Sequence, residues 1–185
     1  MQAEDNDPLA ATERWVERVV IGLNLCPFAK AVQARGQVRY RLSAATSPEA
    51  LLGDLRDELL SLQSADPAIV DTSLLVHPHV LQDFHDYNDF LAEADAELGL
   101  LGLEGELQIA SFHPDYCFAD SEPDDPANYS NRSPFPLLHL LRETSVSRAV
   151  DAFPDASRIY ERNIATLRAL EPAALARLLR SSQKK

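Results

Sequence analysis

Residues 72–79, TSLLVHPH, and residues 110–115, ASFHPD, decide the fold. Each is a short run that ends in a histidine followed by proline, His77-Pro78 in the first and His113-Pro114 in the second. An apolar run of that length suits a strand buried on both faces, as in the interior of a parallel sheet. Proline disfavours helical geometry in the residue before it, so each histidine is held extended at the end of its strand. Between the runs, Leu81, Phe84, Tyr87, Leu91, Ala94 and Leu98 recur at helical spacing, and Gly99 and Gly102 can close the helix. A connection containing such a helix normally joins parallel neighbours. His77 and His113 are therefore expected together at the carboxyl edge of the sheet, where open α/β sheets bind their ligands.

Working towards the N-terminus, residues 48–62 carry a stripe of Leu51 or Leu52, Leu55, Leu59 and Leu62, preceded by a capping-box spacing from Thr46 to Glu49. Before it, Gln37 to Ala44 alternates Val38, Tyr40 and Leu42 with Arg39 and Arg41, the period of a strand near an edge. A first helix is read from a cap at Thr12 through Val16, Val19, Val20 and Leu23, and Cys26-Pro27-Phe28 marks a kink or a second short helix to about Gln33.

Working towards the C-terminus, residues 114–136 hold five of the twelve prolines and no basic residue before Arg132, which predicts an ordered irregular loop. Within it, Tyr116 to Ala119 is a candidate short fourth strand. Ser133-Pro134 is read as the start of a short helix, with further helices opening at Thr144 or Ser145, over the stripe Ala156 to Leu170, and at Pro172. The expected fold is α/β: a small, three- to four-stranded, mainly parallel β-α-β-α-β sheet packed by helices, with a helical C-terminal region, or α+β if strand directions are mixed. The expected division is a flexible N-terminus over 1–11, a single domain over 12–180 with its irregular loop at 113–134, and a frayed end over 181–185.

Composition narrows the function classes. The chain has 185 residues, 45% of them hydrophobic, and a net charge of −12, so a nucleic acid or an anionic membrane is not an expected partner. No apolar run approaches the length of a spanning helix and the polar start MQAEDNDP has no leader character. Cys26 and Cys117 lie far apart in the chain, which fits a reducing, cytoplasmic setting and inert thiols better than a disulfide or a zinc knuckle. No Walker loop, dinucleotide fingerprint, HExxH or GxSxG is present.

What remains is the pair of imidazoles, which titrate near neutral pH and suit acid/base catalysis by His77 and His113. If a metal is bound, His79, two residues after His77, makes a third candidate ligand with His77 and His113. Arg132, before a helix start capped by Ser133, is the candidate anion clamp, with Asn128, Tyr129 and Asn131 orienting the ligand. His139, Arg142 and Glu143 then fall on one polar face of that helix. The acids Asp120, Glu122 and Asp124 begin like a calcium loop, but Asp125 and Asn131 stand where glycine and glutamate are needed. The expectation is an enzyme or specific binder of a small anionic metabolite. The competing expectation is a non-catalytic adaptor that uses the proline-rich loop 114–136. No cofactor and no oligomeric state is implied.

The strings GLNLCPFAK (22–30), LLVHPHVLQDF (74–84), SFHPDYCFA (111–119) and NYSNRSPFPLLHLLRE (128–143) resemble, in order, the domain-of-unknown-function 1415 family of bacterial proteins. The resemblance runs from about Thr12 to Leu170. It implies no activity, cofactor or catalytic residue.

Overall fold

A computed structural model describes residues 7–152 and 158–183. Four strands form one sheet in the order β1-β2-β4-β3: β1 (Val38–Leu42), β2 (Thr72–Val76), β3 (Leu107–Phe112) and β4 (Leu137–Arg142). β1 and β2 are parallel, and β4 is antiparallel to both β2 and β3. The β2 and β3 strands thus point the same way, as expected, but they are not neighbours. β4 lies between them.

That insertion corrects the largest sequence expectation. Residues 137–142, LLHLLR, form the central strand β4 rather than a helix opened by Ser133-Pro134, and Tyr116 to Ala119 forms no strand. A run of leucines broken by one histidine satisfies helical and buried-strand patterns equally, and the slot between β2 and β3 selects the strand. The extended stretch ahead of it carries Pro134 and Pro136, which suit an irregular entry to a strand.

The helices follow their caps. The first, α1 (Pro8–Trp15), is capped by Asp7, whose carboxylate accepts from the Leu9 amide. Thr12, read as the cap, instead lies inside this helix with its hydroxyl donating to the Pro8 carbonyl. Residues Pro8–Ala11, expected to be flexible, are helical, and residues 1–6 of that expectation lie outside the described residues. The helix widens into a π-helical segment over Val16–Ile21, and α2 (Ala29–Ala34) follows Pro27. α3 (Pro48–Ser64) is capped by Ser47 rather than Thr46, through the Ala50 amide. α4 (Phe84–Leu100) is capped by Asp83, which accepts from the His85 and Asp86 amides. Leu81, placed by its spacing in that helix, precedes it. Beyond β4 come α5 (Glu143–Asp151), α6 (Ile159–Arg168) and α7 (Pro172–Gln183). Ser181 to Gln183, expected to fray, are the last turn of α7, and residues 184–185 lie outside the described residues.

Two apolar layers sandwich the sheet. On one face α3 and α4 bring Leu51, Leu55, Leu59, Leu62, Tyr87, Phe90 and Ala94 against Leu75, Leu107, Leu138 and Leu140. On the other, Trp15, Val19, Leu167 and Leu175 cover Leu74, Val76 and Leu137. Each such leucine contributes about 1.5–3 kcal/mol by leaving water. Two buried carboxylates are paired: Glu58 accepts from Arg39 and from Ser73, and Glu97 pairs with Arg56. Arg142, expected on a wet helix face, is buried at the end of β4 and donates to the Leu62 and Ala65 carbonyls, closing the C-terminus of α3.

Candidate functional site

Strand alternation sets the site. On β2, Ser73, Leu75 and His77 turn to the α3/α4 face, and on β3, Leu107, Ile109 and His113 do the same. Both imidazoles reach the buried ring of Tyr87 on α4. His77 stacks on it at 5.8 Å between centroids and His113 lies tilted at 5.1 Å. The Tyr87 hydroxyl ties two strands together: it donates to the Leu137 carbonyl at 2.8 Å and accepts from the Phe112 amide at 3.0 Å. A side chain thus reinforces the end of the β3/β4 ladder, where Phe112 pairs with Leu137. Sequence reading took Tyr87 for an ordinary core residue, and nothing in its spacing distinguishes it.

Backbone carbonyls fix both rings. The turn after His77-Pro78 presents the Val80 carbonyl to Nδ1 of His77 at 3.1 Å and the Leu81 carbonyl to Nε2 of His113 at 3.2 Å. Leu81 takes a left-handed conformation, φ 56°, to do so, a geometry that costs a residue with a side chain about 1 kcal/mol. A carbonyl only accepts, so Nδ1 of His77 and Nε2 of His113 each carry the proton. Nδ1 of His113 in turn accepts from the Asp115 amide at 3.0 Å. His113 is satisfied at both nitrogens. His77 is not: its Nε2 is buried and has no hydrogen-bond partner among the described residues.

Burial governs the protonation of these rings. His77 is fully buried, and desolvation, helped by the nearby His113, lowers its pKa to about 4. Burial also lowers that of His113, against the raising effect of the Leu81 carbonyl and of Asp115. Both rings are neutral near pH 7, so Nε2 of His77 presents a lone pair.

The other sequence candidates gather less closely. The segment Asn131–Pro136 passes between the two histidines: the His113 amide donates to the Asn131 carbonyl, the Ser133 amide to the His113 carbonyl, and the His77 amide to the Pro136 carbonyl. Ser133 is not a helix cap; it lies in irregular chain and its hydroxyl donates to the Phe135 carbonyl. Arg132 holds the loop together through the Tyr116 and Pro123 carbonyls, with its guanidinium 4.8 Å from the Tyr129 ring centre. The anion clamp expected from Arg132 and a helix start at Ser133 is therefore not assembled. Asn128 is buried and fully engaged, accepting from the Phe118 amide and the Ser121 hydroxyl and donating to the Glu122 carbonyl. Asn131 donates to the Ser111 carbonyl.

His139 lies on the opposite face of the sheet, because β4 is a strand. Its Nε2 is 2.8 Å from the Thr72 hydroxyl, which itself donates to the Leu140 carbonyl, so the imidazole is the donor. Burial lowers its pKa to about 4. His79 is exposed beside the buried His77. With both nitrogens of His113 occupied, His77, His79 and His113 do not make a ligand set, and among the described residues no group of three His, Cys, Asp or Glu side chains is arranged to hold a metal. Cys26 and Cys117 are free thiols. Among the described residues no helix is long and apolar enough to cross a membrane.

No curated protein and no solved structure matches the chain. The model of a family described as a protein of unknown function, DUF1415, matches residues 7–177, and the chain belongs to that family.

Proposed function

We propose that the chain binds a small polar metabolite at the carboxyl ends of β2 and β3, with His77 as the group that recognises it. The observation that carries this reading is the buried Nε2 of His77, which has no partner while Nδ1 is held by the Val80 carbonyl. An unpaired buried acceptor costs about 1–3 kcal/mol, and a ligand that donates to it recovers that loss. The neutral ring selects a hydroxyl or amine rather than a bare anion. An anionic group on the same ligand has Arg132 as its candidate partner, once the guanidinium leaves its loop carbonyls.

The strained turn at Leu81 supports the same reading, because it sets both imidazoles at once, and such strain concentrates at binding sites. A base with a pKa near 4 accepts a hydrogen bond readily and a full proton poorly. His77 is thus a recognition group first and becomes a general base only if a bound ligand raises its pKa.

The test is a thermal-shift screen of hydroxy acids, amino alcohols and sugar phosphates against the wild-type chain and His77→Phe. The expected outcome is stabilisation by one chemical class that rises with ligand concentration and disappears in His77→Phe. A panel that leaves the wild-type midpoint unmoved, or that stabilises both proteins equally, overturns the proposal.

A further inference from the structure

The charge of this molecule is distributed unevenly along its chain. The 75 residues from Asp57 to Asn131 contain no lysine or arginine, yet hold seventeen of the 29 acidic residues. That stretch supplies α4, β3 and the loop beyond. It thus includes β3, an edge strand of the sheet.

The ladder shows which backbone groups of β3 face outward. Leu107 is opposite Arg142, and the Glu143 amide donates to the Glu106 carbonyl at 3.0 Å. In an antiparallel pair this directs the amides and carbonyls of Gln108 and Ala110 towards β4 and those of Leu107, Ile109 and Ser111 away from it. The Leu107 amide is taken by the Leu103 carbonyl and the Ser111 carbonyl by Asn131. Among the described residues, Ile109 has no partner for either group at the edge.

Beside Ile109 lies a cavity of roughly 280 Å³. Leu98, Leu107 and Ile109 give it an apolar floor, and Asp95, Glu104 and Glu143 a rim of carboxylates. Among the described residues none of these three side chains has a hydrogen-bond or ion-pair partner, in contrast to Glu58, Glu97 and Asp125, each of which is paired with an arginine. An apolar floor under a carboxylate rim matches one kind of side chain: a long methylene stem that ends in a cation.

We infer that the β3 edge is a docking strip for a basic, extended segment of another protein, which pairs with Ile109 and places a lysine or arginine in the slot between Asp95, Glu104 and Glu143. Backbone pairing supplies the register, and alternate side chains of the incoming strand fall into the slot or face solvent. The same edge of a second copy does not fit, because residues 57–131 hold no lysine or arginine to place in the slot. Nucleic acid is repelled by the same charges. This inference is independent of the imidazole site.

The test uses the full chain labelled with nitrogen-15 and two probes, acetyl-Thr-Lys-Thr-Lys-Thr-amide and its glutamate counterpart. At a lysine-peptide concentration ten times the dissociation constant, hydrogen exchange of the Ile109 amide should slow about tenfold. The glutamate peptide should have no effect, and the double variant Glu104→Gln, Glu143→Gln should weaken lysine-peptide binding at least about tenfold, the scale of one or two charge-assisted contacts. Shifts scattered over α4 and the loop without protection at Ile109 would mean diffuse charge attraction and overturn the inference. So would equal binding by the double variant, no binding at millimolar peptide, or a concentration-dependent dimer that protects Ile109 without peptide.

Discussion

The two faces of the sheet each bury a histidine, and they do so differently. His77 on the α3/α4 face and His139 on the α1/α7 face are both brought to a pKa of about 4 by desolvation. His139 is half-buried and donates to the Thr72 hydroxyl. His77 is fully buried, oriented by a carbonyl from a strained turn, and left with a lone pair that nothing meets. A depressed imidazole pKa is thus common to both faces and marks a site on neither. What separates the two histidines is the partner of each nitrogen.

The largest effect that would test this contrast comes from Tyr87→Phe. The variant removes the hydroxyl that bridges the Phe112 amide and the Leu137 carbonyl and loosens the platform on which His77 and His113 rest, at a cost of about 3 kcal/mol. Urea denaturation measures it, and a loss below about 1 kcal/mol would mean that the strand ends close on each other without the hydroxyl.

Acid should weaken the fold next. His77 has a folded pKa of about 4 against 6.5 for a free imidazole, so the unfolded chain binds the proton first. Its contribution is fully present above pH 6.5 and fades as pH falls towards 4, by about 3 kcal/mol at one pKa unit per 1.4 kcal/mol. Denaturation midpoints across that window should fall less steeply in His77→Phe than in the wild type. Parallel slopes would show that His77 is not the group that resists protonation.

Thr72→Val sharpens the comparison from the other face. Loss of the acceptor for His139 should cost about 1–2 kcal/mol and leave ligand-dependent stabilisation at His77 unchanged. If the ligand effect vanished with Thr72, the two faces would be coupled and the site would extend through the sheet. Arg132→Ala should have the smallest effect, about 1 kcal/mol from freeing the Tyr116 and Pro123 carbonyls at a half-exposed position. Limited proteolysis within residues 114–136 would report it.

The placement of His77 and His113 at one edge of the sheet was legible in the sequence because its logic is local. A proline after each histidine fixes the extended end of a strand, and two such ends on strands of like direction meet at one edge. The adjacency of β2 and β3 was not legible. It depends on LLHLLR, whose leucines suit a helix or a doubly buried strand, and the choice is made only by the slot that β2 and β3 leave open. The same misreading put Ser133 at a helix start and His139 and Arg142 on a wet face. Leu81 and Tyr87 were hidden for another reason. A positive φ at a leucine, and a hydroxyl that enters a ladder, leave no periodic trace.

The central position of β4 also bears on how the chain assembles. The β1-α3-β2 unit closes from neighbouring sequence, but β3 has no sheet partner until residues 137–142 arrive. During synthesis β2 and β3 would wait as two facing edges separated by the width of one missing strand, and pairing across long sequence separations is slow. A chain halted before residue 137 would expose both edges to other chains. The last strand, β4, is therefore the keystone of this sheet, and truncations should aggregate or fold according to which side of that strand they fall.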